Sequence, residues 1–126
     1  MGTFHVPVEV SDLEGRRSEQ IEAMVDTGST YLSLPRPFLE ALGVVPYTSD
    51  RFVYADGREV ECDIGRVRIT VRGRSEITLV VFAEPGSPPL LGAYALEGLR
   101  LTPDPVGRRL VPVPGFRLAL AGAQCR

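Results

Sequence analysis

The sequence predicts an all-β fold, on three observations. Short runs of alternating apolar and polar residues recur along the chain, thirteen glycines and eleven prolines fall between them, and helical spacing is confined to one or two short stretches. At 126 residues, 44% hydrophobic and 24% charged, the chain fits one domain spanning residues 1–126. A domain of that size buries about two-thirds of its surface on folding. It contains no internal repeat, no low-complexity tract and no obvious linker, and leaves no room for a second lobe.

The elements follow in order. Phe4, Val6, Val8 and Val10 alternate with His5, Pro7 and Glu9, and Ile21, Ala23 and Val25 alternate with Gln20, Glu22 and Met24, so both segments predict half-buried strands. The polar stretch Ser11 to Ser18 is their loop. Thr30 to Pro35 is a second short β-like run, and Pro35 and Pro37 then start a turn of helix over Phe38 to Leu42 that Gly43 ends. Residues 52–60 predict a hairpin, with Asp56-Gly57 as a type I′ turn between extended arms. Val67, Ile69 and Val71 alternate with arginine and threonine, and Gly73-Arg74 turns the chain into Ile77 to Phe82, an apolar run expected to be buried on both faces. After Glu84 to Pro89 come Leu90-Leu91-Gly92, then a short helix over Ala93 to Leu99. Leu101 to Val111 predicts two extended pieces around a Gly107 turn. Pro112, Pro114 and Gly115 interrupt pairing, and Phe116 to Leu120 is a last candidate strand.

The chemistry concentrates in Asp26-Thr27-Gly28-Ser29, at the end of the second strand. Gly28 permits φ > 0 and close approach of another backbone, while the Thr27 and Ser29 hydroxyls offer hydrogen bonds to neighbouring backbone or to the Asp26 carboxylate. An oriented carboxylate on a strand-end turn suits acid-base work. The same residues also serve ordinary hairpin turns, so the motif gains weight from its context. A strand, a loop and a second strand run into Asp26-Thr27-Gly28-Ser29, and Leu90-Leu91-Gly92 follows some sixty residues later.

In this order the segments resemble the aspartic proteases, and at this length the retroviral-type, single-domain members that carry one such motif per subunit. The likeness extends over roughly residues 3–111. It implies a retropepsin-like closed β-barrel with one or two short helices. It also implies a homodimeric aspartic endopeptidase, since the chemistry needs two carboxylates and each chain supplies only Asp26. Two Asp26 carboxylates about 3 Å apart share one proton, because like charges that close cannot both ionise; aspartic proteases are the standard instance. By the same resemblance Thr27 reaches across the two-fold axis to the partner loop and Ser29 supports the outer carboxylate oxygen. Tyr54, Ala55, Asp56 and Gly57 fall where the family places its flap, which folds over a peptide and excludes water. Leu90, Leu91 and Gly92 form the strand that packs beside the catalytic loop. Phe4 to Val8 and Phe116 to Leu120 are the expected dimer-sheet segments.

The chain departs from retroviral members in two places. Thr30, Tyr31 and Leu32 stand where acidic residues grip the substrate backbone, and Ala93 stands where a polar or basic residue, often arginine, follows the glycine. The stretch Leu91 to Leu110 looks instead like small prokaryotic single-domain relatives. Two competing classes share features with this reading. Actin-like and sugar-kinase ATPases carry an Asp-x-Gly-Ser/Thr loop but need two α/β lobes and a chain several times longer. A non-catalytic dimeric binding module would keep the fold without the activity.

A formal charge of −2 and a pI near 5.4 argue against a nucleic-acid surface. All fourteen basic residues are arginine, and Arg66, Arg68, Arg72 and Arg74 suit a solvated strand face. No apolar stretch reaches the length of a membrane span, and the N-terminal residues do not read as a signal peptide. Cys62 and Cys125 are too few for a disulfide framework, which predicts a reducing, cytoplasmic location. With His5 as the single histidine, neither a metal nor another cofactor is expected, and a Ser-His-Asp triad would have to recruit it from the first strand.

Overall fold

The alternation in the first two segments becomes a hairpin, because it puts Val6, Val8 and Val10 on one face with Ala23 and Val25 while His5, Pro7 and Glu9 face water. A computed structural model describes residues 3–114. Among them the order is β1 His5–Ser11, β2 Ser18–Val25, β3 Leu32–Pro35, α1 Arg36–Ala41, β4 Thr48–Val53, β5 Glu59–Val71, β6 Arg74–Ala83, β7 Leu90–Leu91, α2 Ala93–Leu99, β8 Leu101–Asp104 and β9 Arg109–Pro112.

The strands close on themselves. β1 pairs antiparallel with β2, β2 parallel with β7, β7 antiparallel with β3, β3 parallel with β6, β6 antiparallel with β5, and β5 returns to β1 through Glu9 to Ser11. Closure leaves fewer open edges that would invite pairing with other chains. Among the described residues β4 stands outside this ring, paired only with β5, and β8–β9 form a separate two-stranded ribbon. Pro7 is tolerated because β5 reaches β1 only from Glu9 onward, so the missing N–H lies on an unpaired side. The interior is filled by Val8, Val10, Leu32, Leu34, Val67, Ile69, Val80 and Leu91, all fully buried, with Leu39 of α1 and Leu96 and Leu99 of α2 packed onto it.

Several local expectations need correction. The 54–58 turn is not type I′. The Gly57 N–H reaches the Tyr54 carbonyl (2.8 Å) and the Tyr54 N–H the Arg58 carbonyl (2.8 Å), with φ +86° at Gly57 alone. This is a three-residue turn closed by a glycine bulge, which spares Asp56 the left-handed conformation that a type I′ turn imposes. The type I′ geometry occurs instead one residue before the expected Gly73-Arg74, at Arg72 and Gly73, with φ of 51° and 75°. β5 runs unbroken from Glu59 to Val71, merging the second hairpin arm with the Val67–Val71 strand. β6 is buried on both faces only over Val80 to Ala83, and Ile77 is 46% exposed because it lies, with Ser75, on a face of the Arg74–Leu79 half that meets water. Around Gly107 the positive φ belongs to Arg108. Of the expected dimer-sheet segments, Phe4 to Val8 lies along β1, its Phe4 carbonyl accepting from the Val25 N–H at 2.9 Å. Phe116 to Leu120 lies outside the described residues.

Candidate active site

Asp26 follows directly on β2, and three contacts fix the backbone there. Its N–H donates to the Leu91 carbonyl of β7 (3.0 Å), its carbonyl accepts from the Ser29 N–H (3.1 Å), and the Met24 N–H donates to Pro89 (3.0 Å). The side chain is then held at both oxygens. The Gly28 N–H donates to Oδ1 at 3.0 Å and the Ser29 hydroxyl to Oδ2 at 3.2 Å. Asp26 is half-buried, whereas Thr27 and Gly28 at the tip of the loop are exposed.

Gly28 does not adopt the positive φ expected for it. A Cβ there would stand 3.2 Å from Asp26 Oδ1, so glycine serves to leave room for the carboxylate against its own N–H. Gly92 matters for space in a stricter sense. A Cβ at position 92 would lie 2.6 Å from both the Ser29 and the Tyr31 carbonyl oxygens. Only a glycine lets the chain leaving β7 pass beneath the loop. Immediately after it the first N–H groups of α2 meet the loop: Ala93 donates to the Ser29 carbonyl (2.9 Å) and Tyr94 to the Thr30 carbonyl (2.8 Å). Leu90, Leu91 and Gly92 therefore brace the loop, and Ala93 contributes through its backbone N–H, which any residue but proline supplies at that position.

The family model described as aspartyl protease matches residues 6–95, which spans β1 to the start of α2 and contains the whole loop and its brace. The chain belongs to the aspartyl protease family. Among solved structures, it is similar to the solution structure of simian foamy virus (mac) protease, with a TM-score of 0.50 and 23% identity over 72% of this chain and 91% of that one. That likeness bears out the retropepsin-like, mostly β fold. No curated protein sequence matches the chain.

The 54–58 turn of this family member carries its own contacts. Tyr54 is half-buried while Ala55, Asp56 and Gly57 are exposed. The Arg58 guanidinium stacks 4.8 Å from the Tyr54 ring centroid and lies 3.8 Å from Glu84, in the loop that leads to β7. Burial, with a smaller contribution from the nearby Cys62, pushes the Tyr54 phenol above its ordinary value. Burial likewise pushes the Cys62 thiol up, which keeps it in the unreactive thiol form.

Sequence reasoning missed an aromatic set beside the loop. The Tyr31 ring meets Phe52 of β4 edge-on (centroids 6.0 Å apart) and Tyr94 of α2 edge-on (5.4 Å). Tyr31 was visible as a departure from the family pattern. Its partners lie 21 and 63 residues further on, at separations that no periodicity connects. Among the described residues no helix is long and apolar enough to cross a membrane.

Proposed function

We propose that residues 1–126 form one retropepsin-like domain that works as a homodimeric aspartic endopeptidase, with one Asp26 from each subunit. The observation that carries this reading is the Asp26 carboxylate bonded at both oxygens by Gly28 and Ser29, on a loop whose tip is exposed. One chain supplies half of the pair the chemistry requires, and the exposed Thr27 and Gly28 offer the surface through which a second loop can approach.

In the dimer the two carboxylates share one proton. The ionised one takes a proton from a water molecule as that water's oxygen bonds to the peptide carbonyl carbon. The protonated one gives its proton to the carbonyl oxygen. Collapse of the tetrahedral intermediate breaks the C–N bond as the carboxyl that took the water's proton passes it to the leaving nitrogen. The other carboxylate takes a proton from a hydroxyl of the intermediate as the carbonyl re-forms, which returns the pair to one shared proton. Within each subunit Ser29 and the Gly28 N–H keep Asp26 in the plane this exchange needs, and Thr27 ties the two loops together. The 54–58 turn acts as the flap over a bound peptide or protein substrate. No cofactor takes part. The buried Cys62 thiol, unbridged among the described residues, supports a reducing, cytoplasmic setting, and the Leu91–Leu110 segment supports placement among prokaryotic members.

The test is cleavage of a diverse peptide mixture by wild type and Asp26→Asn between pH 4 and 7, read by mass spectrometry. Cutting by wild type alone is the expected result, because asparagine keeps the shape and removes the shareable charge. Equal cutting by both contradicts the assignment. Silence from a dimeric wild type favours a binding module that keeps the fold.

A further inference from the structure

β4 is exposed along its length except at one position. Of its six residues only Phe52 is half-buried, and among the described residues β4 pairs with no strand but β5. Among the described residues the arm that carries the 54–58 turn therefore lacks a sheet partner on its outer side, and the side-chain hold of β4 itself passes through Phe52, beside the Arg58–Glu84 contact of the turn. Phe52 meets the Tyr31 ring, and Tyr31 leans edge-on against Tyr94. The Tyr94 N–H in turn holds the Thr30 carbonyl, four residues from Asp26. We infer that Tyr31 is a positioning residue that ties the flap arm to the catalytic loop through Phe52 and Tyr94, so that flap placement over a peptide depends on this aromatic link.

The inference rests on the protease reading and gives the departure at position 31 a role. A tyrosine there cannot grip a substrate backbone as a carboxylate does. It offers instead a ring with two faces and an edge, and both contacts use that ring in the perpendicular geometry that aromatic quadrupoles favour. The hydroxyl is not needed for either contact.

The test compares Tyr31→Ala, Phe52→Ala, their double variant and Tyr31→Phe, using a peptide that wild type cleaves. Loss of ring pairs of this kind predicts a KM raised about three- to tenfold in either alanine variant, with kcat within about twofold. The double variant is no worse than the worse single one, and Tyr31→Phe restores the wild-type KM. Additive losses, or an unchanged KM in Tyr31→Ala, overturn the inference. A second readout separates it from the protease reading. Amide hydrogen exchange over residues 52–58 accelerates in Tyr31→Ala relative to the β5–β6 hairpin, even if wild type cleaves nothing; equal exchange in wild type and variant overturns the link itself.

Discussion

Asp26 and Asp12 show two uses of a carboxylate held by backbone. Asp26 keeps its oxygens on a loop whose tip faces outward, where a second charge can meet them. Asp12 closes the β1–β2 loop: the Arg17 N–H donates to Oδ1 (3.1 Å) and Arg16 Nε to Oδ2 (3.3 Å). The Arg17 backbone bond, outweighing desolvation and assisted by Arg16, holds the Asp12 carboxyl below its ordinary range. A carboxyl lowered on folding stabilises the native state above its unfolded value, and the contribution is lost as pH falls through the folded one. Asp12→Asn is therefore expected to lower the melting temperature at neutral pH. The gap to wild type should close as the pH drops below the usual aspartate range. A gap that persists unchanged in acid would show that Asp12 acts through shape alone. None of this was readable from Ser11 to Ser18, which the sequence marks only as polar loop. The Asp26 contacts were half legible: the Ser29 hydroxyl was expected near the carboxylate, whereas of the two reasons offered for Gly28 the positive φ does not occur and the space a side chain would fill is taken by the carboxylate of Asp26 itself.

At the level of elements, the site is a layered arrangement of loop, β7 and α2, and Gly92 is its tightest point. Gly92→Ala places a methyl group against two carbonyl oxygens, and overpacking of that kind costs roughly 2–3 kcal/mol. The backbone must move to make room, and the loop is what lies above it. Denaturant unfolding should show that loss together with loss of peptide cleavage; an unaltered midpoint would mean that the loop shifts freely. The Leu90-Leu91-Gly92 order was legible because it is local. What was not legible is contact across the chain. Phe52 reads as one more apolar residue in a hairpin arm until β4 is seen to have, among the described residues, a single sheet neighbour. Thr48 to Arg51, polar and exposed, gave no strand signal at all and is extended because β5 pairs with it. The 54–58 turn was found where expected with the wrong geometry, since Asp-Gly supports both a type I′ turn and a glycine bulge.

For the whole molecule, closure of β1, β2, β7, β3, β6 and β5 into a ring builds the brace under Asp26, because it lays β7 between β2 and β3. The all-β class and most of the element order follow from alternation and turn residues in the sequence. The parallel β2–β7 and β3–β6 pairings do not, for they join segments whose spacing carries no signal. An active site that needs two copies of Asp26 responds to subunit mixing in a way that a self-sufficient chain does not. Wild type is equilibrated with increasing Asp26→Asn at fixed wild-type concentration, and peptide cleavage is followed. Random pairing predicts that a ninefold excess of the variant lowers cleavage to about a tenth of the value for wild type alone, as nearly every wild-type chain then sits opposite an asparagine. Cleavage that stays constant through the titration, in a mixture shown to exchange subunits, would contradict a shared pair and place the whole catalytic apparatus within a single chain.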